Sequence, residues 1–303
     1  KMEQYLKMGI NRFSVGAQTF NDSILKYVHR EHNAQQTRET LTLLKSFDVN
    51  YSFDLLFALP GQDLQQLQRD LDEVQLYSPQ HVSPYCLTVN DQHPLARQRL
   101  DDDTQLAMFD LIHQRLCELG YHRYEISNYA KPSYESRHNL LYWTNQAYWG
   151  VGLSAHSYRP RAFSSGKDFG LRFWNPKNIH DYHSLIQDRV HKKSLGPPEL
   201  MGAEFNESLA LHQALTDFCH TSLRLSRGLS QQELAREFSA PIEYAVTQRL
   251  SGLQRDGLIV NTQTPMGDTQ WSLSDPGVHL SNLVFEKLTF LADELPETPS
   301  SLP

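Results

Sequence analysis

The sequence predicts an α/β protein in which a parallel sheet or partial barrel precedes a small winged-helix-like α+β domain. Segments of strand length alternate with segments of helical periodicity through the first half of the chain. Glycine or proline separates them at Pro60-Gly61, Pro79 and Gly120. Strands that alternate with helices in this way form βα units, whose strands pair in parallel. A change of pattern near Phe205 favours the second domain.

The βα region begins with an amphipathic helix over residues 1–7. We expect strands at 11–16, 49–57, 81–88, 121–127 and 149–155, and further helices at 22–46, 63–77 and 102–119. Because the first helix starts at the first residue and leads straight into a strand, we expect that this domain has lost what preceded it.

The helix over 63–77 shows how the elements are assigned. Asp63 stands where an N-cap would precede the first apolar residue of the helix. Apolar residues at helical spacing predict the buried face, and the polar residues between them predict the solvent face. The buried positions are Leu64, Leu67 and Leu71, and the exposed positions are Gln65, Gln66 and Arg69.

Four regions follow from the pattern. The barrel part is expected over 1–160, a looser connector over 161–204 and the winged-helix-like domain over 205–291. Residues 292–303 are rich in Pro, Ser and Glu, which predicts a disordered tail.

The second domain has the order of a winged helix. Helices at about 205–220, 230–238 and 241–256 precede a β-wing around the turn Pro265-Met266-Gly267-Asp268. Between 205 and 290 there are six Lys or Arg against nine Asp or Glu. DNA-binding modules need a positive face that releases counterions from phosphates. The charge balance therefore disfavours nucleic acid as a partner and favours a lid or docking module.

Composition excludes several classes of protein. The net charge of −7 argues against a general nucleic-acid binder, and no apolar run reaches membrane-spanning length. We expect a cytoplasmic protein, because the N-terminus also lacks the pattern of a secretory signal. Cys86, Cys117 and Cys219 match no zinc, redox or iron–sulfur spacing, which predicts reduced, mostly buried thiols.

Polar side chains cluster where the predicted strands end. In parallel sheets and barrels, functional groups gather at the C-terminal ends of the strands. The residues at or just past those ends are Gln18, Asp54, Thr88, Asn128 and His156.

The segment Arg137-His138-Asn139-Leu140-Leu141-Tyr142-Trp143 combines an imidazole with two large aromatic rings. An imidazole can ligate haem iron, Tyr and Trp offer apolar faces to a flat ring, and Arg can pair with a propionate. Aromatic residues beside a histidine are also typical of ordinary core packing around a hydrogen-bonded ring. The residues alone leave both interpretations open.

Six motifs in order resemble oxygen-independent coproporphyrinogen oxidase-like radical SAM proteins, and within them the haem-chaperone branch. The resemblance covers nearly the whole chain. The motifs are Gly16-Ala17-Gln18-Thr19-Phe20, His29-Arg30-Glu31-His32, Asp54-Leu55-Leu56-Phe57-Ala58-Leu59-Pro60-Gly61-Gln62, Tyr124-Glu125-Ile126-Ser127-Asn128-Tyr129-Ala130, His138-Asn139-Leu140-Leu141-Tyr142-Trp143 and Gly150-Val151-Gly152-Leu153-Ser154-Ala155-His156-Ser157.

The resemblance implies a partial (β/α)₆ radical SAM barrel without its first strands, which holds a [4Fe–4S] cluster and S-adenosylmethionine (SAM). It assigns SAM contacts to Gln18, Arg30 and Asp54, and a backbone contact to Thr88. The chemistry is suitable, since a carboxylate can accept from ribose hydroxyls and a guanidinium can pair with the methionyl carboxylate. Without the family, Asp54 would be read as a helix cap or turn residue and Arg30 as half of a surface ion pair.

The resemblance also implies haem binding. His138 is then the leading axial ligand and the candidate for binding the haem iron, with Tyr142 and Trp143 as walls and Arg137 as propionate partner. His156, in the Ser-Ala-His-Ser turn, is the second candidate.

The chain departs from the family pattern in two ways. The three-cysteine cluster motif does not occur in residues 1–303, and we expect it upstream of Lys1. Members of the branch often have Cys where this chain has Ser136.

The resemblance leaves two functions open. The first is haem binding and delivery to an acceptor protein, which could lie at a membrane. The alternative is a radical SAM coproporphyrinogen III dehydrogenase, which decarboxylates propionate side chains oxidatively in haem biosynthesis. The His-Asn-x-x-Tyr-Trp motif favours the first, and the sequence leaves the oligomeric state open.

Overall fold

A computed structural model describes residues 1–161, 168–191 and 205–295. The chain divides into two compact units, Lys1–Ser136 and Arg137–Pro303. The expected boundary at residue 160 therefore falls inside the second unit. Of the expected connector, residues 168–191 form a strand and a helix, and 162–167 and 192–204 lie outside the described residues.

The first unit alternates helices and strands. Its helices are α1 (Met2–Lys7), α2 (Asp22–Tyr27), α3 (Ala34–Ser46), α4 (Leu64–Tyr77) and α5 (Asp102–Glu118), with a short 3₁₀ helix at Pro94–Gln98. Its strands are β1 (Arg12–Gln18), β2 (Asn50–Phe57), β3 (His81–Cys86), β4 (His122–Glu125) and β5 (Asn128–Ala130).

These strands form one sheet in the order β1-β2-β3-β5-β4. The first three are parallel, as expected for βα units, and β5 is antiparallel to both of its neighbours. The single strand predicted over 121–127 is therefore wrong. The chain turns back at residues 126–127, so that Glu125 pairs with Asn128 in a hairpin.

The helix predicted over 22–46 is also wrong as one piece. It is interrupted at residues 28–33, where His29 has a φ of 58° and cannot continue a right-handed helix. Asn33 then starts α3 with a capping box: its side chain accepts from the backbone of Gln36, whose side chain accepts in return from the Asn33 backbone.

One face of the parallel strands is apolar and packs against the helices. Phe53 and Leu55 on β2 and Val82 on β3 are fully buried there, with Leu67 and Leu71 on α4. This is the main hydrophobic core of the first unit.

Asp63 caps α4 as predicted, because its side chain accepts from the backbone N–H of Gln66. The observed faces of this helix differ from the expected ones at two positions: Leu64 is 43% exposed and Gln66 is buried. Gln66 is buried because its amide donates to Asp70, which lies inside the protein.

The second unit begins with α6 (Arg137–Trp143) and an antiparallel sheet of β6 (His156–Pro160), β7 (Gly170–Trp174) and β8 (Asn206–Ser208), with α7 at Ile179–His191. The strand predicted over 149–155 is wrong. Its residues form a loop, in which the Asn175 side chain donates to the carbonyls of Gly150 and Gly152. These glycines have no side chain to pack, which favours a loop over a strand.

The winged-helix pattern is present. Its helices are α8 (Leu211–Arg224), α9 (Gln231–Glu237) and α10 (Ala240–Arg255), and its wing pairs β10 (Ile259–Gln263) with β11 (Thr269–Leu273), which also pairs with β9 (Leu229–Ser230). Two short helices follow, α11 (Asp275–His279) and α12 (Ser281–Lys287).

Part of the expected tail is ordered. Ala292–Glu294 form a 3₁₀ helix, and Arg249 on α10 binds Glu294 with an N–O distance of 3.1 Å. Residues 296–303 lie outside the described residues. Within the described ranges, no helix has the length and apolar character needed to cross a membrane.

Candidate functional site

The face of the parallel sheet opposite the apolar core carries a row of polar residues. Side chains alternate between the two faces of a strand, and register partners on parallel strands share a face. Gly16 on β1 pairs with Asp54 on β2, which pairs with Ser83 on β3. The residues on this polar face are Arg12, Ser14, Gly16, Asn50, Ser52, Asp54, His81 and Ser83.

Gln18 and Asp54 meet on this face. Gln18 ends β1 with a φ of 65°, and its side chain folds back over Gly16. A Cβ added to Gly16 would lie 2.8 Å from the Gln18 side-chain nitrogen, so the glycine makes room for this amide. Because Gly16 is the register partner of Asp54, the two predicted SAM residues lie on the same side of neighbouring strands.

Asp54 lies in the middle of β2 rather than at its end, where we expected it. Burial raises the pKa of Asp54, while a hydrogen bond from Ser83 and the charge of Arg12 oppose the rise. The hydrogen bond from Ser83 and the charge of Arg12 therefore compensate only partly for the burial of this carboxylate. Its oxygens can accept further hydrogen bonds from ligand hydroxyls.

Arg30 and Thr88 are exposed after α2 and β3. In the part of the chain that the structure describes, the Arg30 guanidinium makes no ion pair, so its charge is available to an anionic group. The His32 ring nitrogen lies 3.4 Å from the carbonyl of Ala17, which holds the segment after Arg30 against the end of β1. The Thr88 hydroxyl donates to the Cys86 carbonyl.

His81 is a buried residue of the polar face that the sequence analysis missed. It is 1% exposed, and its Nε2 lies 2.9 Å from the Tyr124 hydroxyl. Its Nδ1 is buried without a hydrogen-bond partner. Burial, helped by the nearby charge of Arg12, lowers the pKa of His81 from 6.5 to about 3.

We expect His81 to make the protein acid-sensitive. Between pH 6.5 and about 3, the unfolded chain protonates this histidine while the folded chain does not, so stability falls as the pH falls. Between pH 7 and 5, the free energy of unfolding should fall by about 2 kcal/mol more for the wild type than for His81→Gln. Urea unfolding at both pH values measures this difference. An equal pH dependence in His81→Gln would contradict it, and His183→Gln, at an exposed histidine of α7, is the control.

In the second unit, His138 and Tyr142 share one face of α6. They lie four residues apart, and the Tyr142 hydroxyl is 3.1 Å from Nε2 of the exposed His138. Trp143 points elsewhere, because a fifth residue along a helix is rotated by about 140°. The Arg224 guanidinium lies 4.4 Å from the centre of the Trp143 ring, which covers one face of that ring.

Further aromatic rings extend from this helix. The Tyr142 ring lies 4.5 Å from that of Tyr148, which lies 6.2 Å from Tyr158 on β6. His156 shares the Tyr158 face of β6, and its exposed ring stacks on Trp174 at 5.6 Å. The structure thus connects His138 and Tyr142 to the strand that carries His156.

The loop before β6 packs closely against the start of that strand. A Cβ added to Gly150 would lie 2.3 Å from the His156 carbonyl, so only glycine fits there. The loop presents apolar side chains to solvent, with Val151 83% and Leu153 45% exposed. Arg137, at the start of α6, is also exposed, whereas Ser136 is buried.

The cysteines do not fit an iron–sulfur cluster. Among the described residues, no three His, Cys, Asp or Glu side chains are grouped to hold a metal. Cys86 is partly buried, Cys117 is exposed and Cys219 is buried. The prediction of mostly buried thiols therefore fails for Cys117. Burial raises the pKa of all three, so they remain protonated thiols.

The polar face could have been found in the sequence. The segments Arg12-Phe13-Ser14-Val15-Gly16 and Asn50-Tyr51-Ser52-Phe53-Asp54 alternate polar and apolar residues with period two. This pattern indicates a sheet with one polar face.

Comparison with known proteins shows which proteins the chain resembles. The model of the Radical SAM superfamily matches residues 1–74. "Heme chaperone HemW" of Lactococcus lactis is 28% identical over 94% of this chain and 70% of its own length. The protein of the same name from Escherichia coli is 36% identical over 52% of this chain and 41% of its own length.

A solved structure agrees in fold. The coproporphyrinogen III oxidase HemN of Escherichia coli, described as a radical SAM enzyme, superposes with a TM-score of 0.68 at 16% identity. The match covers 95% of this chain and 66% of HemN, and this chain spans 41% to 70% of the two HemW relatives named above. The parallel sheet of the first unit is thus part of a radical SAM fold, as predicted. The chain is thus similar, over nearly its whole length, to HemW-like and HemN-like radical SAM proteins.

Proposed function

We propose that the protein binds haem and delivers it to an acceptor protein, as a haem chaperone of the radical SAM family. The observation that carries the proposal is the exposed His138 on α6, hydrogen-bonded to Tyr142. The names of the relatives support the same function, because the Lactococcus, Bacillus and Escherichia proteins are all called haem chaperones.

The contact with Tyr142 is compatible with a tautomer of His138 that can bind iron. If Nε2 carries the proton and donates it to the Tyr142 oxygen, the lone pair of Nδ1 is left for the metal. Metal-ligating histidines generally use their other nitrogen in this way, and the partner fixes the ring orientation.

Several neighbours would complete the haem site. The rings of Tyr142 and Tyr148 offer apolar surface to a porphyrin, and the exposed Arg137 can pair with a propionate. His156 is the second ligand candidate, since it is exposed and its ring already stacks on Trp174. We assign Trp143 a smaller role as a wall of the site, because Arg224 covers one face of its ring.

We also propose that SAM binds at the polar face of the first unit. There Asp54 would accept from the ribose hydroxyls, Gln18 would bind through its amide and Arg30 would pair with the methionyl carboxylate. Thr88 would approach the adenine through its backbone. The bound cofactor supplies a sulfonium group next to a [4Fe–4S] cluster in this family. The described residues offer that cluster no ligands, so we assign it none here.

The proposed setting is the cytoplasm, and the proposed partners are haem and a haem-accepting protein. The winged-helix module would then serve docking rather than DNA binding. Its third helix supports this, because Arg249 is engaged by Glu294 and by the carbonyls of Lys287 and Thr289.

Oxidative decarboxylation of coproporphyrinogen III is the second candidate function. It is favoured by the likeness of the fold to HemN over 95% of this chain. The two functions differ in what happens to the tetrapyrrole, because a chaperone returns it unchanged and a dehydrogenase releases carbon dioxide from it.

One experiment separates them. The complete protein, purified without oxygen, is loaded with haem and mixed with haem-free myoglobin as an acceptor, while a parallel sample receives coproporphyrinogen III, SAM and a reductant. Transfer of haem without loss of carbon dioxide supports the chaperone. Carbon dioxide release without haem transfer would replace it with the dehydrogenase.

A further inference from the structure

Asp70 is the most heavily hydrogen-bonded buried carboxylate of the described residues. It lies on α4 and is 1% exposed. One of its oxygens accepts from the Phe20 backbone at 2.8 Å and from the Gln66 amide at 3.1 Å. The other accepts from the Thr19 hydroxyl at 2.8 Å and from the Gln62 amide at 3.2 Å. All four acceptor positions of the ionised group are therefore used.

Three of these donors come from two different loops, and the fourth, Gln66, lies on α4 itself. Thr19 and Phe20 directly follow Gln18 at the end of β1, and Gln62 lies in the turn after β2. Gln62 also accepts from the backbone N–H of Leu59, at 3.2 Å, so it fixes its own turn while it holds Asp70. One carboxylate thus joins the two loops that leave β1 and β2.

Both loops contain strained backbone at the strand ends. Gln18 has a φ of 65° and Ala58 has a φ of 56°, although neither is glycine. A non-glycine residue in the left-handed region is uncommon and persists only where its surroundings hold it. The hydrogen bonds to Asp70 begin one residue after Gln18 and four residues after Ala58, close enough to hold both conformations.

We propose that Asp70 is the positioning residue of the SAM site. Its carboxylate fixes the conformation of Gln18 and of the end of β2, and so aligns Gln18 with Asp54 before the ligand arrives. This inference rests on the proposed function, because it needs SAM to bind at Gln18 and Asp54. Because Asp70 is buried and protein donors use its acceptor positions, it acts on the site through the two loops alone.

The charge of Asp70 is essential to this role. Burial raises the pKa of Asp70, while all four hydrogen bonds oppose the rise. An asparagine would replace one oxygen with an NH₂ group, which donates where two donors already point. Asp70→Asn should therefore release one loop.

The test uses the complete protein and measures SAM affinity by calorimetry for the wild type, Asp70→Asn and Thr19→Val. Thr19→Val keeps the charge and the shape of the site and removes one hydroxyl, which donates to Asp70 and accepts from the Asn21 backbone N–H within the same loop. Both variants should bind SAM on the order of tenfold more weakly. Hydrogen exchange of the amides at residues 18–21 and 59–62, measured without SAM, should be faster in both.

A compensating substitution at Gln62 should restore SAM binding in Asp70→Asn. In Asp70→Asn/Gln62→Glu the new NH₂ group faces a new carboxylate, so donor and acceptor have changed places. This double variant should recover SAM affinity to within about threefold of the wild type. Asp72→Asn, at an exposed carboxylate of the same helix, is the control.

Unchanged affinity in folded Thr19→Val and Asp70→Asn would overturn the inference while leaving the proposed function intact. Absence of SAM binding in the wild type would overturn both. If Asp70→Asn does not fold, Thr19→Val decides alone.

Discussion

Replacing Gly277 with alanine should destabilise the winged-helix module by about 3 kcal/mol, at the upper end of what overpacking does. A Cβ at this position would lie 1.8 Å from the carbonyl oxygen of Leu258 and 2.8 Å from its carbon. These are backbone atoms and cannot move aside as a flexible side chain would. The same carbonyl accepts from the Ser274 backbone, so the contact between α11 and the start of the wing would open.

Chemical denaturation of the full chain measures this effect. Gly252→Ala is the matched control, because Gly252 lies inside α10 and a Cβ there would meet only the tip of Arg255 at 3.9 Å. That substitution should stabilise the protein by about 0.5 to 1 kcal/mol, since alanine favours a helix. Equal effects of the two substitutions would contradict the packing of α11 described above.

Asp54→Asn should weaken SAM binding by about tenfold to a hundredfold, because a hydrogen bond to a charged group is worth about 1.5 to 3 kcal/mol. The free energy of unfolding of the Asp54→Asn variant should not fall. Burial raises the pKa of Asp54, so the ionised carboxylate lowers stability as the pH rises through that pKa, and removing the charge relieves this at pH 7.

Affinity and stability are measured on the same preparations, by calorimetry and by urea unfolding at pH 7. Asp72→Asn changes an exposed carboxylate and should alter neither quantity. Loss of stability in Asp54→Asn, with unchanged SAM affinity, would show that Asp54 has a structural role instead.

The periodicity of the sequence was sufficient to predict α4, α5 and the three parallel strands, but not the break between α2 and α3. Local chemistry determines helices such as α3 and α4. Each begins at a capping residue, Asn33 or Asp63, and carries apolar residues at regular spacing. The hairpin at Glu125 and Asn128 was missed because its turn has neither glycine nor proline. The loop before β6 was missed because its apolar residues face solvent, which a pattern of hydrophobicity alone does not reveal.

The candidate sites were predicted unevenly for a similar reason. His138 and Tyr142 lie four residues apart on a helix, and their contact follows from helix geometry. Asp70 joins residues that are 8 and 51 positions away in the chain, and no local pattern predicts such a hydrogen-bond network. The family resemblance predicted the SAM residues, which remain a proposal, but the alignment of Gln18 over Gly16 required the coordinates.

In the proposed haem site, His138 binds the iron and Tyr142 holds the His138 ring. A haem titration of the complete protein without oxygen tests this arrangement most directly, with the Soret band followed for the wild type, His138→Ala, Tyr142→Phe and His156→Ala. We predict a saturable shift in the wild type and in His156→Ala, a weaker one in Tyr142→Phe and none in His138→Ala. An equal shift in His138→Ala and the wild type would contradict the claim and make His156 the next ligand to test.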